Sequence, residues 1–153
     1  MNAAPAEALR ALSEYLRKNG LKNTRQRDLI VEAFYEAGGH VSIDELLVRV
    51  QERMPGVGYA TVYRTLKLLN EAGLAHERRF NDGQARYEPV VADEHHDHLI
   101  CLTCDRIFEF EDALIESRQS EVAAAHGIRV VNHRHEIYGR CVAPDTCPNR
   151  PAR

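Results

Sequence analysis

Apolar residues in the first half of the chain recur every three or four positions, the spacing that places them on one face of an α-helix. This pattern predicts four helices. Thr24 is suited to the N-cap of the second helix, and Ser42 with Glu45 forms a capping box that opens the third. The fourth runs from about Tyr59 to Gly73, a glycine suited to a left-handed C-cap. The apolar faces of these helices comprise Leu9, Leu12, Leu16, Ile30, Ala33, Phe34, Ala37, Leu46, Leu47, Val50, Met54, Val62, Leu66 and Leu69.

The segment after the fourth helix predicts a β-hairpin. Its strands cover residues 74–80 and 85–90, and the turn Asn-Asp-Gly at 81–83 supplies a glycine for positive φ. Helices followed by a two-stranded ribbon are typical of a winged helix-turn-helix. We therefore expect an α+β chain whose N-terminal winged helix-turn-helix domain, residues 1–90, binds DNA.

The rest of the chain predicts a second domain of mixed structure. A histidine-rich hinge is expected over residues 91–97, followed by a C-terminal α/β domain over residues 98–153. The elements expected in this domain are strands near 98–103, 106–110 and 128–138 and a helix near 112–125.

Composition and charge narrow the class of protein. The chain has 153 residues, 44% of them hydrophobic, which suffices for one ordinary core or two small ones. No apolar run approaches the ~20 residues that span a bilayer, and Glu7, Arg10 and Glu14 interrupt the region where a signal peptide would be apolar. We therefore expect a cytoplasmic protein.

The net charge of −3 is unevenly distributed along the chain. Residues 1–88 hold 13 Lys and Arg against 12 Asp and Glu, a balance of +1, whereas residues 89–153 hold 7 against 11, a balance of −4. Six of the eight histidines also lie in the acidic second part. The first part is thus compatible with binding phosphates, and the second with binding cations.

Four cysteines fall in two close pairs, Cys101 with Cys104 and Cys141 with Cys147. A chain without a secretion signal is an unfavourable context for disulfides. Two thiol pairs in one small domain instead favour a tetrahedral four-sulfur zinc site, which is structural because it has no open position.

Three histidines and an aspartate form the run His95-His96-Asp97-His98 directly before the first cysteine pair. In an extended segment, alternate side chains point to opposite sides. His96 and His98 therefore face one way, and His95 and Asp97 the other. The run can supply ligands to two different metal sites.

The fourth helix carries a polar face opposite its buried side. Thr61, Arg64 and Lys67 share that face by their spacing, with Tyr63 beside them. Hydroxyl, aromatic and guanidinium groups on one face suit a helix that lies in a DNA major groove. Taken alone, the same pattern fits a solvated helix surface equally well.

Three segments together resemble the ferric uptake regulator family. They are residues 60–65 (ATVYRT), 95–104 (HHDHLICLTC) and 125–129 (AHGIR), within a similarity that spans about residues 9–147. The resemblance implies a winged-helix domain, a C-terminal dimerisation domain, and a homodimer, alone or as a dimer of dimers, that binds double-stranded DNA at an inverted-repeat operator. It also implies repression of metal-uptake genes when metal is bound.

The resemblance further implies a role for individual residues. The regulatory site, for Fe²⁺ replaceable by Mn²⁺, Co²⁺ or Zn²⁺, would comprise His40, Glu88, His96, His98 and Glu109. A second metal site would comprise His95, Asp97, Glu116 and His133. The structural zinc would be held by Cys101, Cys104, Cys141 and Cys147. DNA would be contacted by Lys22, Thr61, Tyr63 and Arg64. His76, His126 and His135 match no ligand position.

The sequence offers four alternatives, one of which, a simple zinc-ribbon interaction module, leaves the winged helix unexplained. A peroxide-sensing member of the family would favour aspartates where this chain has Glu88 and Glu109, and a zinc-sensing member would usually have a cysteine in its sensory site. A small metallohydrolase is the alternative from another class, because Asp97-His98 resembles part of the H-x-H-x-D-H motif. That motif requires a histidine at position 93, which is Asp here.

Overall fold

The computed structural model describes residues 5–80, 83–90 and 95–147. The chain divides into two compact units, Met1–Asp93 and Glu94–Arg153. The first two residues of the predicted turn and most of the predicted hinge, 91–94, lie outside the described residues. Within the described part, no helix combines the length and apolar character that crossing a membrane requires.

The first unit begins with four helices. They are α1 (Pro5–Lys18), α2 (Arg25–Ala37), α3 (Ile43–Arg53) and α4 (Tyr59–Glu71). Their apolar faces meet in one core, as the spacing predicted. Its fully buried members include Leu12, Leu16, Ile30, Val31, Phe34, Leu46, Val50, Val62, Leu66 and Leu69.

The predicted ends of these helices are confirmed. The Thr24 hydroxyl accepts a hydrogen bond from the Arg27 amide at 3.2 Å. At the start of α3, the Glu45 amide donates to the Ser42 hydroxyl at 3.2 Å, and the Ser42 amide donates to the Glu45 carboxylate at 2.8 Å, which is the reciprocal capping box. Gly73 follows α4 with φ of 72°, a conformation that glycine adopts without a steric cost.

A two-stranded antiparallel hairpin completes the first unit. Strand β1 (Ala75–Arg79) pairs with β2 (Ala85–Pro89). The Tyr35 hydroxyl of α2 donates to the Leu74 carbonyl at 2.7 Å, and Val41 and Tyr87 exchange two backbone hydrogen bonds of 2.9 and 2.8 Å. The hairpin is thus fixed to the helices as the wing of a winged helix-turn-helix.

The second unit contains a three-stranded sheet and one long helix. Its elements are β3 (Asp97–Cys101), β4 (Ile107–Phe110), α5 (Ala113–Ala125), β5 (Glu136–Gly139) and a 3-10 turn (Pro144–Thr146). The strand order is β4-β3-β5, with β4 antiparallel and β5 parallel to the central strand. Among the described residues of this unit, Ile100 is the one buried hydrophobic side chain.

Two predictions for the second unit need correction. The strand predicted over residues 128–138 is confined to Glu136–Gly139. A strand requires a neighbour to pair with, and β3 offers β5 only the four positions His98 to Cys101. Asp97, predicted to end the hinge, instead begins β3 and is buried.

Candidate metal centres and DNA-reading helix

Two of the predicted regulatory ligands lie side by side in the first unit. His40 lies in the segment between α2 and α3, next to Val41, and Glu88 follows Tyr87 on β2. The backbone bridge between Val41 and Tyr87 therefore places the two side chains together. His40 Nε2 lies 2.8 Å from Glu88 Oε2, and each side chain is 5% exposed. An imidazole and a carboxylate so placed are two donors suited to a divalent ion of the iron class.

The other oxygen of Glu88 has a different partner. Arg78 on β1 donates from Nε to Glu88 Oε1 at 2.8 Å. The carboxylate therefore contacts a histidine with one oxygen and a guanidinium with the other. Sequence reasoning did not assign a role to Arg78.

Three further regulatory candidates share one face of the sheet in the second unit. His98 on β3 is directly opposite Glu109 on β4, so their side chains project to the same side. His96 Nε2 lies 3.6 Å from Glu109 Oε1, and the rings of His96 and His98 are 5.0 Å apart between centroids. The two imidazoles and the carboxylate form a second group of donors.

The predicted second metal site lies wholly within the second unit. His95, Asp97, Glu116 and His133 each place one donor atom within 4.8 Å of the others. His133 Nε2 is 3.1 Å from Glu116 Oε1 and 3.4 Å from Asp97 Oδ1. His95 Nδ1 is 3.8 Å from Glu116 Oε1. The division of the histidine run predicted from alternation thus holds, with His95 and Asp97 in one cluster and His96 and His98 in the other.

The burial of the donor atoms in this cluster is compatible with a bound metal ion. Asp97 is 1% exposed. Glu116 Oε1 and His133 Nε2 are buried, and although they lie 3.1 Å apart their orientation does not form a hydrogen bond. Buried polar atoms are costly unless they are satisfied. A divalent cation held by these residues would satisfy all of them at once.

Another histidine lies against this cluster. His135 Nδ1 is 3.3 Å from Asp97 Oδ2, and its ring packs edge-on against Phe110 with centroids 5.8 Å apart. The sequence analysis gave His135 no role, because it matches no ligand position. The parallel register that pairs His98 with Glu136 brings it beside Asp97, and that register is not visible in local spacing.

Three of the four cysteine thiols are in contact near the turn between β3 and β4, and Cys141 is held at this turn through its backbone. Asp105, with φ of 58°, closes the tight turn after Cys101-Leu-Thr-Cys104, and backbone hydrogen bonds from Thr103 and then Cys104 lower the pKa of Cys101 to about 7. The thiol of Cys104 is in hydrogen-bond contact with those of Cys101 and Cys147. The Cys141 amide donates to the Thr103 hydroxyl at 3.1 Å. The turn thus favours ionisation of the Cys101 thiol, and the thiolate is the form that zinc binds.

The predicted DNA-reading face of α4 is exposed to solvent. Tyr63 and Arg64 are exposed and Thr61 is half-buried, while Lys67 Nζ lies 5.8 Å from the Tyr63 ring centroid. Lys22 is exposed in the segment before α2, where its carbonyl accepts a hydrogen bond from Arg27 Nη1 at 2.7 Å. The side chains predicted to contact DNA are therefore accessible to a ligand.

Comparison with known proteins identifies this architecture. Residues 18–138 match the model of the ferric uptake regulator family. The ferric uptake regulation protein of Escherichia coli strain K12 is 43% identical over 131 residues, which cover 85% of this chain and 88% of that protein. The corresponding protein of Campylobacter jejuni is 36% identical over 147 residues, covering 95% and 91%.

A solved structure supports the same relationship. The Helicobacter pylori ferric uptake regulator Fur, described as having three functional metal binding sites, superposes with a TM-score of 0.86 at 31% identity, over 96% of this chain and 97% of that one. The fold, the length and the sequence of this chain agree with those of ferric uptake regulators. This agreement excludes the metallohydrolase alternative. The chain belongs to the ferric uptake regulator family and is a metal-dependent transcriptional regulator, not an enzyme.

Proposed function

We propose that this chain represses metal-uptake genes when a divalent ion, Fe²⁺ in the cell, is held jointly by His40, Glu88, His96, His98 and Glu109. The observation that carries the proposal is the division of these donors: two lie together on the winged-helix unit and three on the sheet of the second unit. Neither group alone offers the four to six ligands that such ions usually take. A shared ion completes both groups.

The proposed regulation is a linkage effect. An ion whose ligands come from both units stabilises the arrangement of the domains in which all five donors meet, and has lower affinity for every other arrangement. A ~100-fold difference in affinity corresponds to roughly 2.7 kcal/mol in favour of that arrangement. Metal concentration then controls how much of the protein can bind its operator.

The choice of iron rests on the donor chemistry. The set contains histidines and glutamates without sulfur, and such donors accept Fe²⁺, Mn²⁺, Co²⁺ and Zn²⁺. Glutamates rather than aspartates at 88 and 109 favour iron sensing over peroxide sensing, and the absence of a cysteine from the proposed set disfavours zinc sensing.

We infer two further metal sites with other roles. Cys101, Cys104, Cys141 and Cys147 would hold Zn²⁺ and tie the C-terminal tail to the sheet. His95, Asp97, Glu116 and His133 would hold a second ion between β3, α5 and the segment before β5. Three sites in all would match the number described for the Helicobacter pylori relative.

The second unit also carries an apolar surface suited to a second copy of the chain. Leu114 of α5 is 82% exposed and Val131 is 90% exposed. Phe108, Leu99 and Ile137 lie side by side across the sheet and are exposed. Apolar patches of this kind usually mark protein interfaces. A cytoplasmic homodimer formed here would present two copies of α4 to an inverted-repeat operator.

In this dimer, α4 would lie in the major groove. Arg64 can bond a guanine edge, and Tyr63 and Thr61 can contact bases or the thymine methyl. Lys22 would contact the backbone or the adjacent minor groove. Whether dimers bind singly or as a dimer of dimers depends on the spacing of half-sites.

The experiment that tests this function is selection of DNA duplexes from a random pool with added Mn²⁺, followed by titration of the selected duplex. The wild type should bind an inverted repeat on the order of 100-fold more tightly with Mn²⁺ than without it. The double variant His96→Ala/His98→Ala should lose this stimulation, whereas His76→Ala, outside every donor set, should retain it. Full stimulation in the double variant would refute the proposed site.

A further inference from the structure

Arg78 contacts the carboxylate that we propose as a metal ligand. We propose that Arg78 sets the metal affinity of the regulatory site: it neutralises Glu88 in the metal-free protein and opposes the approach of a divalent cation. This inference rests on the proposed function, in which Glu88 is a ligand. It goes beyond that function by assigning the residue that determines at what metal concentration the site fills.

The register of the wing places Arg78 against Glu88. In the β1-β2 pair, His76 is opposite Glu88 and Arg78 is opposite Arg86, so Arg78 is the diagonal neighbour of Glu88 on the same face. Its Nε donates to Glu88 Oε1 at 2.8 Å. The Glu88 side chain is 5% exposed and the Arg78 side chain 29% exposed. This is a mostly buried, hydrogen-bonded ion pair.

The energetic role of such a pair differs between the two states of the site. A carboxylate removed from water is costly unless an opposite charge and a hydrogen bond compensate it. Arg78 supplies both and therefore stabilises the metal-free wing. When a divalent ion binds Glu88, it supplies the compensating charge itself, and the guanidinium a few ångströms away repels it. The same contact thus raises metal-free stability and lowers metal affinity.

The neighbouring arginines have other contacts. Arg86, on the same face, lies with its guanidinium 5.6 Å from the Phe80 ring centroid. Arg79 projects to the opposite face, where its Nε is 3.1 Å from Glu77 Oε1, and its side chain is 70% exposed. Arg79→Gln removes the same charge one residue away, and is a matched control for long-range electrostatic effects.

The test uses the full chain with its zinc retained and measures Mn²⁺ binding from the electron paramagnetic resonance signal of the free ion. Glu88→Gln identifies which binding step belongs to the regulatory site, because that step should be lost. Arg78→Gln should bind Mn²⁺ about ten-fold more tightly in that step, whereas Arg78→Lys and Arg79→Gln should stay within about two-fold of the wild type. Thermal unfolding without added Mn²⁺ should occur at a lower temperature in Arg78→Gln.

Arg78→Gln should bind Mn²⁺ more tightly and yet unfold at a lower temperature. These opposite effects distinguish the proposed role from a merely structural one. A structural role would lower both the unfolding temperature and the Mn²⁺ affinity of Arg78→Gln. Affinity that is weaker, or equal to that of Arg79→Gln, would overturn the inference while leaving the proposed site intact. Retention of every Mn²⁺ step in Glu88→Gln would instead refute Glu88 as a ligand, and with it the proposed function.

Discussion

The two units of this chain differ in what fills their interiors. The winged-helix unit buries a continuous set of aliphatic and aromatic side chains, from Leu12 on α1 to Tyr87 on β2. In the described part of the second unit, the buried side chains are Ile100, Asp97 and His98, and α5 has no buried residue. The first unit has a hydrophobic core with the proposed ligands His40 and Glu88 buried at its edge. The second unit buries mainly polar side chains that we propose as metal ligands.

This difference indicates how each unit is stabilised. Apolar burial stabilises the first unit from within, at roughly 25 cal/mol per Å² of surface removed from water. The second unit, about sixty residues long, is at the size where one small core is marginal. Its stability should therefore depend on bound ions and on a second copy of the chain, so that ligation and folding are coupled.

The largest expected effect is unfolding of the second unit alone when one of its cysteines is replaced. Cys104→Ser should release the zinc that we propose for this site, and zinc binding in structural sites is worth about 10–16 kcal/mol. Two-dimensional amide NMR should then show collapsed dispersion for residues of the second unit and preserved resonances for α1 to β2. Thr146→Ala, in the same tail, should leave the spectrum unchanged. Loss of the first unit's resonances as well would contradict the independence of the two units.

The converse experiment removes a side chain from the hydrophobic core. Phe34 is fully buried on α2. Its replacement by alanine should lower the free energy of unfolding of the first unit by about 3–5 kcal/mol. The unfolding midpoint of the first unit in denaturant should fall accordingly, and zinc should remain bound to the second unit when measured by metal analysis. Zinc release at the midpoint of the first unit would show that the units unfold together.

A third test concerns the exposed apolar surface of α5. Leu114→Glu should weaken self-association by about 100-fold or more, because a charge would have to be buried in the interface. Sedimentation equilibrium measures this directly. Ser120→Glu adds the same charge at an exposed position outside the apolar groove lined by Leu114, Val122 and Ile128, and should have little effect. An unchanged dimer in Leu114→Glu would place the interface elsewhere.

The smallest expected effect is a loss of stability of the first unit caused by a change at the N-terminus of α3. Ser42→Ala removes the hydroxyl that accepts from the Glu45 amide and should cost about 1 kcal/mol. Ser42→Thr retains a capping hydroxyl and should recover most of that loss. Denaturant unfolding of the first unit measures both variants, and Mn²⁺ binding to the second site should be the same in each.

The same contrast explains how much could be predicted from the sequence. The helices, the Thr24 and Ser42 caps and the wing of the first unit followed from periodicity and from short-range hydrogen bonding, which are local. The grouping of His95 with Asp97, and of His96 with His98, followed from alternation. These features depend on residues close together in the chain.

What sequence reasoning missed depends on register between distant strands. Of the strand predicted over residues 128–138, the part 128–135 is not a strand, because β3 pairs with only four positions of β5. The contacts of Arg78 with Glu88 and of His135 with Asp97 follow from strand pairing that no local pattern specifies. The second unit has few buried apolar residues, so its hydrophobic pattern carried little information about how its strands pair.

The backbone bridge between Val41 and Tyr87 has a consequence for timescales. Its two hydrogen bonds join the segment that carries His40 to the strand that carries Glu88, and Tyr87 is itself part of the buried core. Separating the two backbone segments therefore requires an opening of the core, which is slower and rarer than the fraying of a loop. The amides of Val41 and Tyr87 should exchange with deuterium as slowly as those of α2. The bridge thus keeps the backbone of His40 next to that of Glu88 in the absence of metal.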